Sequence, residues 1–121
     1  MTLPAGDDAV LLLHNPRCSK SRATRQLLEE RGVAFEERLY LEHPLDPSEL
    51  EDLERRIGRP LLEWVRRKEA AFAEAGLSDA SDDAAVRAAV ANAPVLMERP
   101  VVVRGQRAAI GRPPEDVLAL F

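Results

Sequence analysis

The chain has a single cysteine, Cys18, among 121 residues. Neither an internal disulfide nor a multi-cysteine zinc cluster can form from one thiol. If Cys18 does redox chemistry, the thiol that resolves it comes from another molecule. Long apolar runs are also missing, and nothing approaches the roughly 20 residues that span a bilayer. The stretch Ala9 to Leu13 is too short for a secretory signal, and Asp7 and Asp8 stand where a basic leader region would be. A cytosolic protein without membrane contact is expected. Excess positive charge is absent too: the net charge is −4 and the pI near 5.2. That excludes the basic face of a general nucleic-acid binder. Lysine is scarce, with only Lys20 and Lys68, so the cations are almost all arginine. A compositional bias accounts for most of them, although the guanidinium fork also matches tetrahedral oxyanions. Asp79, Asp82 and Asp83 lack the spacing of a calcium loop. No bound metal and no resident cofactor are expected.

Hydrophobic residues make up 45% and charged residues 31%, the balance of an ordinary globular domain. No repeat or low-complexity linker divides the chain, so residues 1–121 are expected to form a single domain. Ala9 to His14 is nearly all apolar and suits a strand buried on both faces. Asn15-Pro16-Arg17 breaks it, and Ser19 or Ser21 is placed to cap a helix reaching about Arg31. Leu27 and Leu28 supply its inner face, and Gly32 is a natural C′ residue. A second strand near Phe35 to Tyr40 completes a βαβ unit, so the two strands should be parallel. Asp46-Pro47-Ser48-Glu49 has the form of a capping box with proline at N1. It opens a helix with Leu50, Leu53 and Ile57 on one stripe and Gly58 at its end. Leu61 to Glu74 reads as one or two further helices, with Leu62, Val65 and Phe72 as core candidates. Ala84 to Asn92 reads as another, begun by Ser81-Asp82-Asp83. Residues 46–92 therefore look like a helical insertion. Val101-Val102-Val103 and Ala108-Ala109-Ile110 flank a hairpin turn. A last short helix, Glu115 to Phe121, turns Val117, Leu118 and Phe121 inward. The order is βαβ plus ββα around a small mixed sheet, an α/β fold.

The segment His14-Asn15-Pro16-Arg17-Cys18-Ser19-Lys20-Ser21-Arg22 carries the chemistry. It lies where a buried strand gives way to a helix. A cysteine there faces unpaired N–H groups and the positive end of the helix dipole, which favour thiolate over thiol. The same N–H groups form an anion site. His14, Arg17 and Lys20 are placed to add positive charge. The bland reading, a small buried hydrophobe, fits poorly in a polar turn.

His14-Asn15-Pro16-x-Cys18-x-x-Ser21-Arg22 resembles the active-site segment of the arsenate reductases that use glutathione and glutaredoxin. The likeness continues through Arg66-x-Lys68-Glu69-x-x-Phe72-x-x-x-Gly76-Leu77, Arg99-Pro100-Val101-Val102 and Arg112-Pro113-x-Glu115. It covers nearly the whole chain in order. The resemblance implies a thioredoxin-like fold and reduction of arsenate through a covalent thiolate–arsenate adduct. It implies Cys18 as nucleophile, His14 as the histidine that helps keep it ionised, and Ser21 as a hydroxyl beside the thiolate. Arg66, Arg99 and Arg112 match the arginines that hold the oxyanion, and Pro100 matches a cis-proline beside the cysteine. Arg67 adjoins Arg66, and the spacing to Gly76-Leu77 favours Arg66. Glu98 sets a negative charge next to Arg99, which works against tight arsenate binding.

Taken alone, His14 is as well read as a strand-end histidine, Arg66 as a solvated helix face, and Arg99 and Arg112 as loop residues before prolines. His43 reads as loop surface and Trp64 as core or partial surface. The expected activity is reduction of arsenate by a monomer with glutathione and glutaredoxin as external thiols. Two alternatives share the scaffold. One is a redox-sensitive transcription adaptor, which has no need of the three arginines. The other is a glutathione-dependent thiol oxidoreductase without arsenate activity.

Overall fold

The structure is a computed structural model and describes residues 2–121; Met1, counted within the expected domain, lies outside the described residues. Four strands form one sheet in the order β2-β1-β3-β4: β1 Val10–His14, β2 Glu36–Leu39, β3 Val101–Arg104 and β4 Arg107–Ile110. β1 runs parallel to β2, with His14 opposite Leu39, and antiparallel to β3, with Leu13 opposite Val101. β3 and β4 are the expected hairpin. The largely apolar β1 and β3, polar only at His14 and Arg104 at their ends, are the two central strands. Strands covered on both faces need no polar alternate residues.

The two faces divide by side-chain parity. Val10, Leu12 and Val102 point to one side, where they pack with Leu28, Val117 and Leu120. Leu11, Leu13, Val101 and Val103 point to the other, where they meet Leu50, Leu53, Leu61, Val86 and Met97. The first face carries α1 (Ser19–Glu30) and the C-terminal segment, and the second carries the insertion. Leu12, Leu13, Val101 and Val102 have no solvent exposure. Truncating one such residue to alanine costs about 2–5 kcal/mol.

α1 begins at Cys18 itself, which occupies the N-cap without its side chain capping the helix. The expected capping serines lie inside the helix: Ser19 is exposed, and the Ser21 hydroxyl faces back to β1. Gly32 takes φ +69° at C′. The N–H groups of Gly32 and Val33 bond the carbonyls of Glu29 and Leu28, which closes a Schellman motif. α2 (Pro47–Ile57) shows the capping box in full: Asp46 accepts from Glu49 N at 2.7 Å, and Glu49 accepts from Asp46 N at 3.2 Å. Glu49 also holds the buried Arg38 guanidinium of β2 at 2.5 and 3.1 Å, tying the insertion to the sheet edge.

The insertion is less helical than its sequence suggests. Only a 3₁₀ turn, Leu61–Glu63, and the five-residue α3, Ala70–Glu74, form between α2 and α4 (Asp83–Asn92). Residues 64–69 are extended or turned instead. Val65 makes an isolated bridge to Met97, and Arg66 N donates to Leu96 O at 2.7 Å. Apolar spacing in this stretch reports burial of Leu61, Trp64 and Val65, not a continuous helix. The C-terminal segment, Pro114–Leu120, is 3₁₀. Val117 and Leu120 are buried there, Leu118 is half-buried, and Phe121 lies exposed beneath the Arg104 guanidinium.

Candidate active site

Cys18 is held by the turn between β1 and α1. Its N–H donates to Asn15 O at 3.0 Å, while Asn15 Oδ1 accepts from Arg17 N at 3.0 Å. Behind the turn, Ser21 Oγ accepts from Asn15 N at 3.0 Å and lies 2.7 Å from His14 Nδ1. Ser21 is fully buried and His14 nearly so. One hydroxyl thus fixes the end of β1 and the start of the loop that presents the thiol.

Burial pushes the Cys18 thiol up. The N–H groups of Ser21 and Lys20 at the helix N-terminus, together with the charge and hydrogen bond of Arg99, outweigh burial and leave it below its ordinary value of 9.0. Arg112 Nη2 lies 3.8 Å from Cys18 Sγ. Arg112 Nε also donates to Arg99 O at 2.8 Å, so one guanidinium links the thiol to the residue before Pro100. The Arg99–Pro100 peptide is cis, as is Arg112–Pro113. Pro100 is buried and accepts from Gly111 N at 2.9 Å.

The surroundings of His14 work against its charged form. Burial is the largest influence and lowers its pKa below 6.5, with Arg25 and Arg22 lowering it further against Glu37. Its reach to Cys18 runs through Ser21 and the turn. Arg17 and the Lys20 side chain are exposed, and Lys20 acts on the thiolate through its backbone N–H.

Beyond the thiol, a cleft of about 510 Å³ is lined by Arg66, Lys68, Glu69, Glu98, Arg99 and Arg112, among others. The three arginines expected from sequence share it, although the first comes from the irregular part of the insertion and the others flank the β3–β4 hairpin. Arg66 pairs with Glu69 at 2.6 Å. Arg67 lines the same cleft but turns to Asp79, to Leu62 O and over the Phe72 ring. Arg99 Nε and Nη1 are buried without a hydrogen-bond partner. Buried guanidinium donors left unpaired are costly, so these two nitrogens retain free capacity to donate. Among the described residues no group of three or more His, Cys, Asp or Glu side chains is placed to hold a metal ion.

Sequence reading missed one residue of the site and half of the setting of another. Tyr40 reads as the end of a strand, yet it is buried one step past the His14–Leu39 pair, among Asn15, Arg66, Arg99 and Cys18. Burial above all pushes its hydroxyl up to about 12, which keeps it a neutral donor. The parallel β1–β2 register is the signal that would have placed it beside Asn15. Glu98, expected beside Arg99 from sequence, also faces Arg112: its carboxylate lies 2.9 Å from Arg112 Nε and 3.7 Å from Arg99 Nη1. Only the return of the chain after β4 reveals the first of these contacts.

A mixed sheet in this order, with the thiol where the first strand hands over to the first helix, is the thioredoxin-like α/β arrangement. Within that class the chain belongs to the ArsC family, whose profile matches residues 13–120. An arsenate reductase from Neisseria meningitidis is 43% identical over 114 residues, covering 93% of this chain and 97% of that protein. The uncharacterized protein YfgD of Escherichia coli is 49% identical over 114 residues, 92% of this chain and 95% of its own. The solved arsenate reductase from Vibrio cholerae superposes with a TM-score of 0.90 at 40% identity, covering 96% of this chain and all of that one.

Proposed function

We propose that the protein is an oxidoreductase that reduces arsenate to arsenite, with Cys18 as nucleophile and glutathione and glutaredoxin as external thiols. The observation that carries this reading is the meeting of a thiol of lowered pKa with Arg112 and with the partly unpaired Arg99 guanidinium. Thiolate and oxyanion-binding donors in one place are what thiol attack on an oxyanion requires.

In this scheme Arg66, Arg99 and Arg112 hold the oxyanion. The Cys18 thiolate attacks arsenic, an S–As bond forms, and one oxygen leaves as hydroxide or water. The arginines offset charge on the adduct. The sulfur of glutathione then attacks Cys18 Sγ, and the S–As pair departs with arsenic. Arsenic thereby gains two electrons and leaves as arsenite, while two thiols become one mixed disulfide. A glutaredoxin thiol takes up the glutathione and frees Cys18. External thiols are required because the chain has no second cysteine.

The experiment is arsenate reduction by purified protein with glutathione and glutaredoxin, against a Cys18→Ser control. Arsenite formation that needs Cys18 and falls sharply without glutaredoxin is expected. Turnover no greater than that of the control refutes the reading. Reduction of glutathione mixed disulfides without any arsenate turnover favours the thiol oxidoreductase alternative.

A further inference from the structure

A carboxylate in the middle of an oxyanion cleft is an anomaly. Glu98 Oε1 lies 2.9 Å from Arg112 Nε and 3.7 Å from Arg99 Nη1, and accepts from Arg99 N at 3.2 Å. Both arginines also face the Cys18 thiol. The Glu98 side chain keeps 28% of its surface exposed and lines the same cleft as Arg66. Any anion that engages Arg99 and Arg112 together therefore arrives beside a negative charge.

An ionised carboxylate can only accept hydrogen bonds. Tetrahedral oxyanions fall into two groups by that measure. Arsenate and phosphate keep a proton near neutral pH and present an O–H. Selenate and sulfate, of closely similar shape, keep none. For the first group, the O–H turned toward Glu98 makes a charge-assisted hydrogen bond, while the remaining oxygens take the arginine donors. For the second group only lone pairs face the carboxylate, and repulsion remains. A site thus rejects the wrong ligand by an unanswered charge as much as it attracts the right one.

We propose that Glu98 is a specificity-determining residue, the acceptor by which the cleft selects hydrogen-bearing tetrahedral oxyanions over fully ionised ones. The proposal rests on the oxyanion-site reading above and deepens it. It also gives Glu98 a role beyond balancing arginine charge. A site built to bond a buried hydroxyl can reject an analogue lacking it by as much as about 10⁴-fold. Glu98 is partly exposed, so water relieves some of the repulsion and a factor of about ten to a hundred is expected.

The test is calorimetric titration of the full-length Cys18→Ser protein, in which no covalent adduct forms, at neutral pH and fixed ionic strength. Arsenate is paired with selenate, and phosphate with sulfate. Arsenate and phosphate should each bind at least about tenfold more tightly than their partners. With Glu98→Gln added, the amide can donate to a fully ionised oxygen, and both ratios should fall to about threefold or less. A gain of equal size for all four anions would make Glu98 a plain charge-balancing group and overturn the proposal. So would the absence of discrimination before Glu98 is changed, a result that does not depend on how the variant folds. Binding of none of the four removes the oxyanion site and this inference together. Correct binding order without arsenate turnover in the unsubstituted enzyme overturns the reductase reading and leaves the role of Glu98 standing.

Discussion

Ser21→Ala tests whether one buried hydroxyl holds the catalytic turn together. Ser21 Oγ lies 2.7 Å from His14 Nδ1 and accepts from Asn15 N at 3.0 Å, and Ser21 has no solvent exposure. Alanine removes both interactions and leaves two polar partners behind. His14 is nearly buried and Asn15 half-buried, so water replaces the lost partner poorly. Each orphaned buried group costs about 1–3 kcal/mol. Because Asn15 can recover part of its loss from solvent, the sum should be about 2–3 kcal/mol. With a urea m-value of about 1.5 kcal/mol per molar, the unfolding midpoint should drop by about 1.3–2 M. The measurement is urea denaturation at pH 8, where His14 is neutral in both states. Ser19→Ala is the control, since Ser19 is exposed; it should stay within about 0.5 kcal/mol. Loosening of the turn should also slow alkylation of Cys18 at fixed pH, because Ser21 N and Lys20 N are aimed by the same helix start. Equal midpoints for the two serine variants would refute the argument that Ser21 anchors the loop.

Three further outcomes are expected. The thiolate absorbance of Cys18 should titrate below 9.0 and move upward in Arg99→Ala, since Arg99 lowers it by charge and hydrogen bond; an unmoved midpoint would separate Arg99 from the thiol. His14 has a folded pKa below its unfolded 6.5, so the unfolded chain takes up the proton first. The His14 contribution to stability is therefore present above pH 6.5 and lost as pH falls through the folded pKa, and a urea midpoint series from pH 8 to 5 should show a decline that His14→Asn abolishes. Gly111→Ala should cost about 1–3 kcal/mol, because its Cβ would stand 2.7 Å from Thr24 Oγ1 and 2.8 Å from Pro100 Cγ; thermal melting that matches wild type would show that this contact yields.

The sequence by itself determined the parts that depend on neighbours along the chain. The capping box at Asp46, the Schellman glycine at Gly32 and the apolar runs of β1 and β3 are local, and each signals its element through backbone chemistry within a few residues. The thiol at a strand-to-helix turn is local as well, so Cys18, His14 and Ser21 could be singled out together from one nonapeptide. A single cysteine likewise settled that no internal disulfide forms. Tertiary structure decided everything that depends on residues far apart in sequence. Apolar spacing between Leu61 and Glu74 suggested helix, yet bridging of Val65 to Met97 took the backbone groups that a helix would have used. Cys18 and Arg112 meet across 94 positions because β1 and β3 are adjacent and β4 returns the chain beside them. Burial works against the expected charge on His14, and burial is a property of the packed sheet face rather than of the motif. Tyr40 entered the site, and Glu98 reached Arg112, for the same reason. Side chains of ordinary type acquire chemical roles from what faces them, and only packing decides what faces them.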